Sequence, residues 1–204
     1  MNSVENWATE FDLVCKPRYL VGLMGTVYLL GFAAGSLIFG NLVDIIGRRK
    51  SLLGSCAVTP VVQFVWLCHP ALNLTTIYIG ALLLGLAASM RSTSTFLYAL
   101  ESMWIRSERV QYGTLLYAAE GFGVALVSLL FWARVLSWRS YCMANCIAMV
   151  STMAFIYLRL PESPAFLFER CRFEELEACL VKISFTNGCH SPEIIEHGMR
   201  KLTQ

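Results

Sequence analysis

Between Lys50 and Arg91 the chain reads SLLGSCAVTPVVQFVWLCHPALNLTTIYIGALLLGLAASM (51–90), 40 residues without an aspartate, glutamate, lysine or arginine. A helix needs about 20 apolar residues to cross a bilayer, so this run is long enough for two crossings. His69-Pro70 followed by Asn73 breaks it, because proline ends a helix and its neighbours favour a turn. The reading is therefore two membrane helices, 51–68 and 74–100. Working outward, three more uncharged or nearly uncharged runs stand at 19–39, 111–131 and 138–158. The runs are too long for barrel strands and do not alternate apolar with polar residues.

Composition agrees with this reading. Of the 204 residues, 56% are hydrophobic and only 15% charged. A soluble domain carries roughly 25% charged residues, so a soluble enzyme, a nucleic-acid binder and a disordered linker are set aside. The net charge of +2 provides no basic field for a polyanion. Cys56, Cys68, Cys142 and Cys146 lie in apolar runs, where cysteine acts as a small hydrophobe. Cys171, Cys179 and Cys189 form no CxxC pair and have no histidine at zinc spacing. Neither a metal, a cofactor nor a catalytic constellation is expected; three scattered histidines and no nucleophile near a base leave an enzyme unsupported.

Orientation follows from the basic residues. With the loop from Asn41 to Lys50 cytoplasmic, 11 of the 16 lysines and arginines fall inside. Residues 1–18 are then an extracytoplasmic segment, 19–160 the five-helix region, and 161–204 a cytoplasmic amphipathic helix and tail. Ser163 is placed to cap that helix with Pro164 at its first position. Phe166, Phe173, Leu176, Leu180 and Ile183 then read as a stripe lying on the inner membrane surface.

Two charges, Arg91 and Glu120, lie deep inside the spans, whereas Arg139 stands at the end of one. An intramembrane ionisable group is costly and is usually paired or faces water. Counted outward from the turn at 101–110, Arg91 and Glu120 both sit about 10 residues deep, roughly 15 Å at the helical rise. They are expected to share a level, and an Arg91–Glu120 ion pair joining consecutive helices follows. Thr95 and Tyr98 share the face of Arg91 at i+4 and i+7. That face is read either as part of a solute pathway, as a structural ion pair, or as an arginine reaching for the inner surface. Glu101 with Arg106 and Arg109 is read as a cytoplasmic charge cluster or as an ordinary solvated loop. Gly31 with Gly35, and Gly121 with Ala125, have the small-xxx-small spacing that lets backbones approach in lipid. Trp66, Tyr78, Trp132 and Trp138 fall near outer helix ends, as an interfacial aromatic belt would.

The stretch Gly40-Asn41-Leu42-Val43-Asp44-Ile45-Ile46-Gly47-Arg48-Arg49 resembles the G-x-x-x-D-[RK]-x-G-[RK]-[RK] loop of the major facilitator superfamily. In such a loop Gly40 is expected to let helices approach, Asp44 to face a helix N-terminus, Gly47 to make a tight turn, and Arg48 and Arg49 to anchor the loop inside. Thr9-Glu10-Phe11-Asp12-Leu13-Val14-Cys15 resembles the T-E-[WF]-[DN]-L-V-C segment of the organic cation and anion transporters, solute carrier family 22. Pro161-Glu162-Ser163-Pro164-Ala165-Phe166-Leu167 is similar to that family's P-E-S-P-R-W-L, and Trp138-Arg139 to the W-R that opens its sixth helix. The resemblance implies an all-α polytopic membrane protein corresponding to helices two to six, part of the N-terminal half of a twelve-helix carrier. It implies transport of a small organic ion by alternating access, in the plasma membrane, together with a missing half or a second membrane chain. The departures are Ile45 for a basic residue, Ala81 where the family usually has an arginine, and Ala165-Phe166 for Arg-Trp. The first two favour the alternative of a truncated, non-transporting chain that binds or modulates a full-length relative, while the preserved outer and inner signature segments favour transport.

Overall fold

The computed structural model describes Phe11, Leu13 and residues 15–68, 73–103 and 106–186, apart from the side chains of 106–108 and 186. The described helices are α1 (Arg18–Ile46), α2 (Arg48–Cys68), α3 (Leu74–Ser102), α4 (Arg106–Trp132), α5 (Trp138–Arg159), α6 (Pro164–Glu169) and α7 (Phe173–Thr186). The first five are long and apolar enough to cross a membrane. Each covers one expected span but runs past it, because a charge-free window finds the part in lipid and not the helix ends. The expected loop at Asn41–Lys50 is helical except at Gly47.

α1 packs along α3, α2 lies against α3 and α5, and α4 touches α3. Glycines explain the closeness of α1 and α3. A Cβ on Gly31 would lie 2.5 Å from the Leu82 carbonyl oxygen, one on Gly35 2.9 Å from Ser89 Cβ, and one on Gly85 2.1 Å from the Tyr28 carbonyl oxygen. Gly40 does not share this role: a Cβ there meets nothing within 4 Å, and the same holds at Gly121. Both lie on helix faces without a neighbour among the described residues, so sequence spacing alone overstated them.

At the end of the bundle away from Gly47, Phe11 and Leu13 are buried with Ile77, Trp138 and Cys142. The Phe11 and Trp138 rings lie 5.5 Å apart. Two of the sequence signatures therefore meet in space. Trp66 fills the notch left by Gly80, and the Tyr78 hydroxyl donates to the Leu20 carbonyl at 2.8 Å. Trp132 is exposed, while Trp66, Tyr78 and Trp138 are used in packing.

The stripe on α7 departs from expectation. Phe166, Leu167, Leu176 and Cys179 are buried in a small core, with Phe173, Leu180 and Ile183 against it. α6 ends after six residues, and its Phe166 and Leu167 pack against the stripe on α7. Ser163 caps α6, its hydroxyl oxygen accepting from Phe166 N at 3.4 Å. Residues 187–204 lie outside the described set.

Candidate functional site

Gly47 ends α1 with φ +104°, a conformation that favours glycine. A Cβ there would also lie 2.8 Å from Glu162 Oε2. This turn drops Arg48 into the protein, where it is 4% exposed. Its Nη2 reaches Glu101 Oε1 at 2.7 Å and Asp44 Oδ1 at 3.0 Å, and its Nε donates to Glu101 Oε1 at 3.0 Å. The other Glu101 oxygen accepts from the Ser163 hydroxyl. Glu162 Oε1 accepts from the backbone N–H of Arg49 at 2.9 Å and of Ser163 at 3.2 Å. A carboxylate at the N-terminus of α2 is favoured by the helix dipole and by the N–H groups left without intrahelical partners.

The cluster thus joins α1, α2, α3 and α6. Arg49 adds α5 by donating from Nη2 to the Tyr157 carbonyl at 2.7 Å. Tyr98 also belongs here, its hydroxyl donating to the Pro161 carbonyl at 3.2 Å. The side chains of Arg48 and Asp44 differ sharply in exposure, 5% against 56%. Arg48 therefore depends chiefly on Glu101, and removing one partner leaves a buried charge uncompensated. The Cys179 thiol donates to the Glu162 carbonyl at 3.4 Å. Burial, and then the Glu162 charge, push this thiol above its ordinary value, and Lys182 partly offsets them.

The expected grouping of Glu101 with Arg109 is replaced by this arrangement. Glu101 turns to Arg48 because α2 packs against α3 there, while Arg109 Nε donates to the Met103 carbonyl at 2.8 Å. The Arg106 side chain lies outside the described residues. The sequence does not announce Glu162 or Ser163 as cluster members, nor Arg170, whose Nη2 donates to the Asp44 carbonyl at 2.9 Å. The P-E-S-P run carried the first two, but a cap was the only role its spacing suggested.

A second feature lies within the membrane helices. A cavity of about 440 Å³ has α3 as its floor and is flanked by α1 and α4; Arg91, Ser92, Thr95 and Glu120 supply its polar lining. Arg91 and Glu120 do share a level, but the expected ion pair is not formed. Arg91 Nη1 donates instead to Thr59 Oγ1 on α2 at 3.2 Å. Glu120 is exposed on α4, a helix none of whose membrane-length window is buried. α4 packs too lightly on α3 to bring the carboxylate to the guanidinium. Thr95 lines this cavity; Tyr98, three residues on, belongs to the cluster at the helix end.

Thr59 and Gln63 are two of the polar positions of an apolar run, and nothing in the run itself singles them out. They serve helix contacts. Gln63 Oε1 accepts from Asn145 Nδ2 at 3.1 Å and from the Cys146 thiol at 3.5 Å, joining α2 to α5.

Comparison with known proteins places this architecture. A family model described as "Sugar (and other) transporter" matches residues 4–196. Solute carrier family 22 member 16 of Xenopus laevis is 28% identical over 90% of this chain and 32% of its own length. Organic cation/carnitine transporter 2 of Rattus norvegicus is 28% identical over 92% of this chain and 33% of its own length. Organic cation/carnitine transporter 4 of Arabidopsis thaliana is 25% identical over 90% of this chain and 34% of its own length. The chain therefore spans about a third of the curated relatives it matches. Among solved structures, the major facilitator superfamily proton:xylose symporter XylE has a TM-score of 0.62 at 19% identity, covering 89% of this chain and 42% of that one.

Proposed function

Because the chain is an integral membrane protein that belongs to the sugar and other transporter family, we propose that it forms part of a carrier for small organic ions, working by alternating access. The observation that carries this reading is the cavity holding Arg91, Thr95 and Glu120 between three membrane helices. A cation and an anion left unpaired with each other in lipid need water or a solute to face. Arg91, oriented by Thr59, and Glu120 are the groups a solute would meet. The cluster around Arg48, Glu101 and Glu162 is the inner closure, on the cytoplasmic side together with α6 and α7. Residues 1–18 lie outside the cell, and the membrane is the plasma membrane.

Carriers of this superfamily hold their solute between two halves, so the partner is a further half or a second membrane chain. Uptake of a labelled organic cation or anion by cells making the chain, alone and with a full-length relative, tests the proposal. Expected is uptake that Arg91→Ala and Glu120→Gln each reduce at least about tenfold, in line with the loss of one charged contact. Uptake unaffected by either change overturns the assignment of the cavity. A second reading, a non-transporting chain that modulates a relative, draws on the open face of α4 with its exposed Glu120. Altered uptake by the relative, with none by this chain, would support that reading.

A further inference from the structure

We propose that Arg170 is the latch that fastens the α6–α7 hairpin to α1, and that its release is a step in opening the Gly47 end of the bundle. The opening step rests on the transport reading above; the latch itself does not. The hairpin is tied to α2 through Glu162 and Arg49 N, and to α3 through Ser163–Glu101 and Tyr98–Pro161. The hydrogen bond to α1 comes from Arg170, whose Nη2 donates to the Asp44 carbonyl at 2.9 Å. That carbonyl belongs to the last turn of α1, where backbone oxygens lack intrahelical partners and the helix dipole is negative. A guanidinium suits both.

The same guanidinium lies over the Phe166 ring, 5.7 Å from its centroid, and Arg48 lies 5.1 Å from that ring. Phe166 thus connects Arg170 to the buried cation of the cluster. Arg48 is buried and held by two carboxylates, whereas Arg170 is exposed and its acceptor is a single backbone oxygen. Of the contacts around the turn, the one made by Arg170 is therefore the easiest to break without leaving a buried charge. Its acceptor is main chain, so no substitution at 44 removes it. The donor side carries the switch.

The test is amide hydrogen exchange by mass spectrometry on the whole 204-residue chain in lipid nanodiscs. Peptides over 43–52 and 160–172 report the latch, and a peptide over 74–80, at the far end of α3, is the control. Losing a hydrogen bond from a charged donor predicts that Arg170→Ala speeds exchange at 43–52 about tenfold. The control should not change. Arg170→Lys keeps a donor but has no plane to lie on the ring, and should recover most of the protection. Exchange at 43–52 unchanged in Arg170→Ala overturns the latch. Equal acceleration at 74–80 overturns it too, since that marks a general loss of fold. Uptake is not the readout: a protected latch without uptake removes the transport reading alone.

Discussion

Replacing Gly85 with alanine puts a methyl carbon 2.1 Å from the Tyr28 carbonyl oxygen and 2.9 Å from Phe32 N. Both are backbone atoms of α1, so no side chain can swing aside. Restoring an ordinary contact of about 3.5 Å needs α1 and α3 to separate by more than about 1 Å. Such a gap forfeits roughly a quarter to a half of each dispersion contact along the shared face, and Gly31 and Gly35 lie on that same face. Overpacking of this kind costs up to about 3 kcal/mol. Alanine returns about 1 kcal/mol through its better helix propensity. The net expectation is a loss of about 2 kcal/mol.

Gly121 supplies the matched control. A Cβ there meets nothing within 4 Å, so Gly121→Ala leaves only the propensity gain of about 1 kcal/mol. The two substitutions are chemically identical and should shift stability in opposite directions, about 3 kcal/mol apart. Unfolding of the purified protein in detergent, followed by tryptophan fluorescence against added SDS, measures both. If Gly85→Ala stabilises the chain as Gly121→Ala does, the close approach of α1 and α3 is wrong.

Three further outcomes follow from the site. Arg48→Leu alone should destabilise by about 3–5 kcal/mol by stranding Glu101, while Arg48→Leu with Glu101→Leu should cost clearly less; additive losses in a double-mutant cycle would show the pair is not coupled. Cys171 has φ +55°, a left-handed conformation that costs about 1–2 kcal/mol for a side-chain-bearing residue, so Cys171→Gly should raise stability by about 1 kcal/mol in the same assay. Folding holds the Cys179 thiol protonated beyond its ordinary pKa of 9.0; its contribution to stability is complete below pH 9 and is lost as pH rises above that value. Cys179→Ser should flatten that alkaline decline in a pH series of unfolding curves.

The five membrane helices were legible because lipid imposes one simple demand: about 20 apolar residues per crossing. His69-Pro70 was enough to divide the long run into α2 and α3. Helix ends were less legible, since Arg48 and Glu101 are helical while charged, and charge marks the edge of lipid and not the edge of a helix. The signature segments were visible as strings, but their meaning is a contact across the chain. Phe11 needs Trp138, and Arg49 needs Glu162; nothing in the local sequence announces a partner more than a hundred residues away.

Arg91 and Glu120 show where such a reading stops. Burial cost singles out a charge in a span, and counting at the helical rise gives its depth. Their shared level was legible, since both residues line one cavity. The partner depends instead on the angle about the helix axis, which advances about 100° per residue at 3.6 residues per turn. A neighbour that packs lightly, as α4 does on α3, also leaves its distance unset. So Arg91 finds Thr59 on α2, the helix that packs closely there, and Tyr98, on the same nominal face as Arg91, is drawn into the cluster at Pro161. The sequence ranks residues by what they cost in lipid, and interhelical packing decides which neighbour offsets that cost.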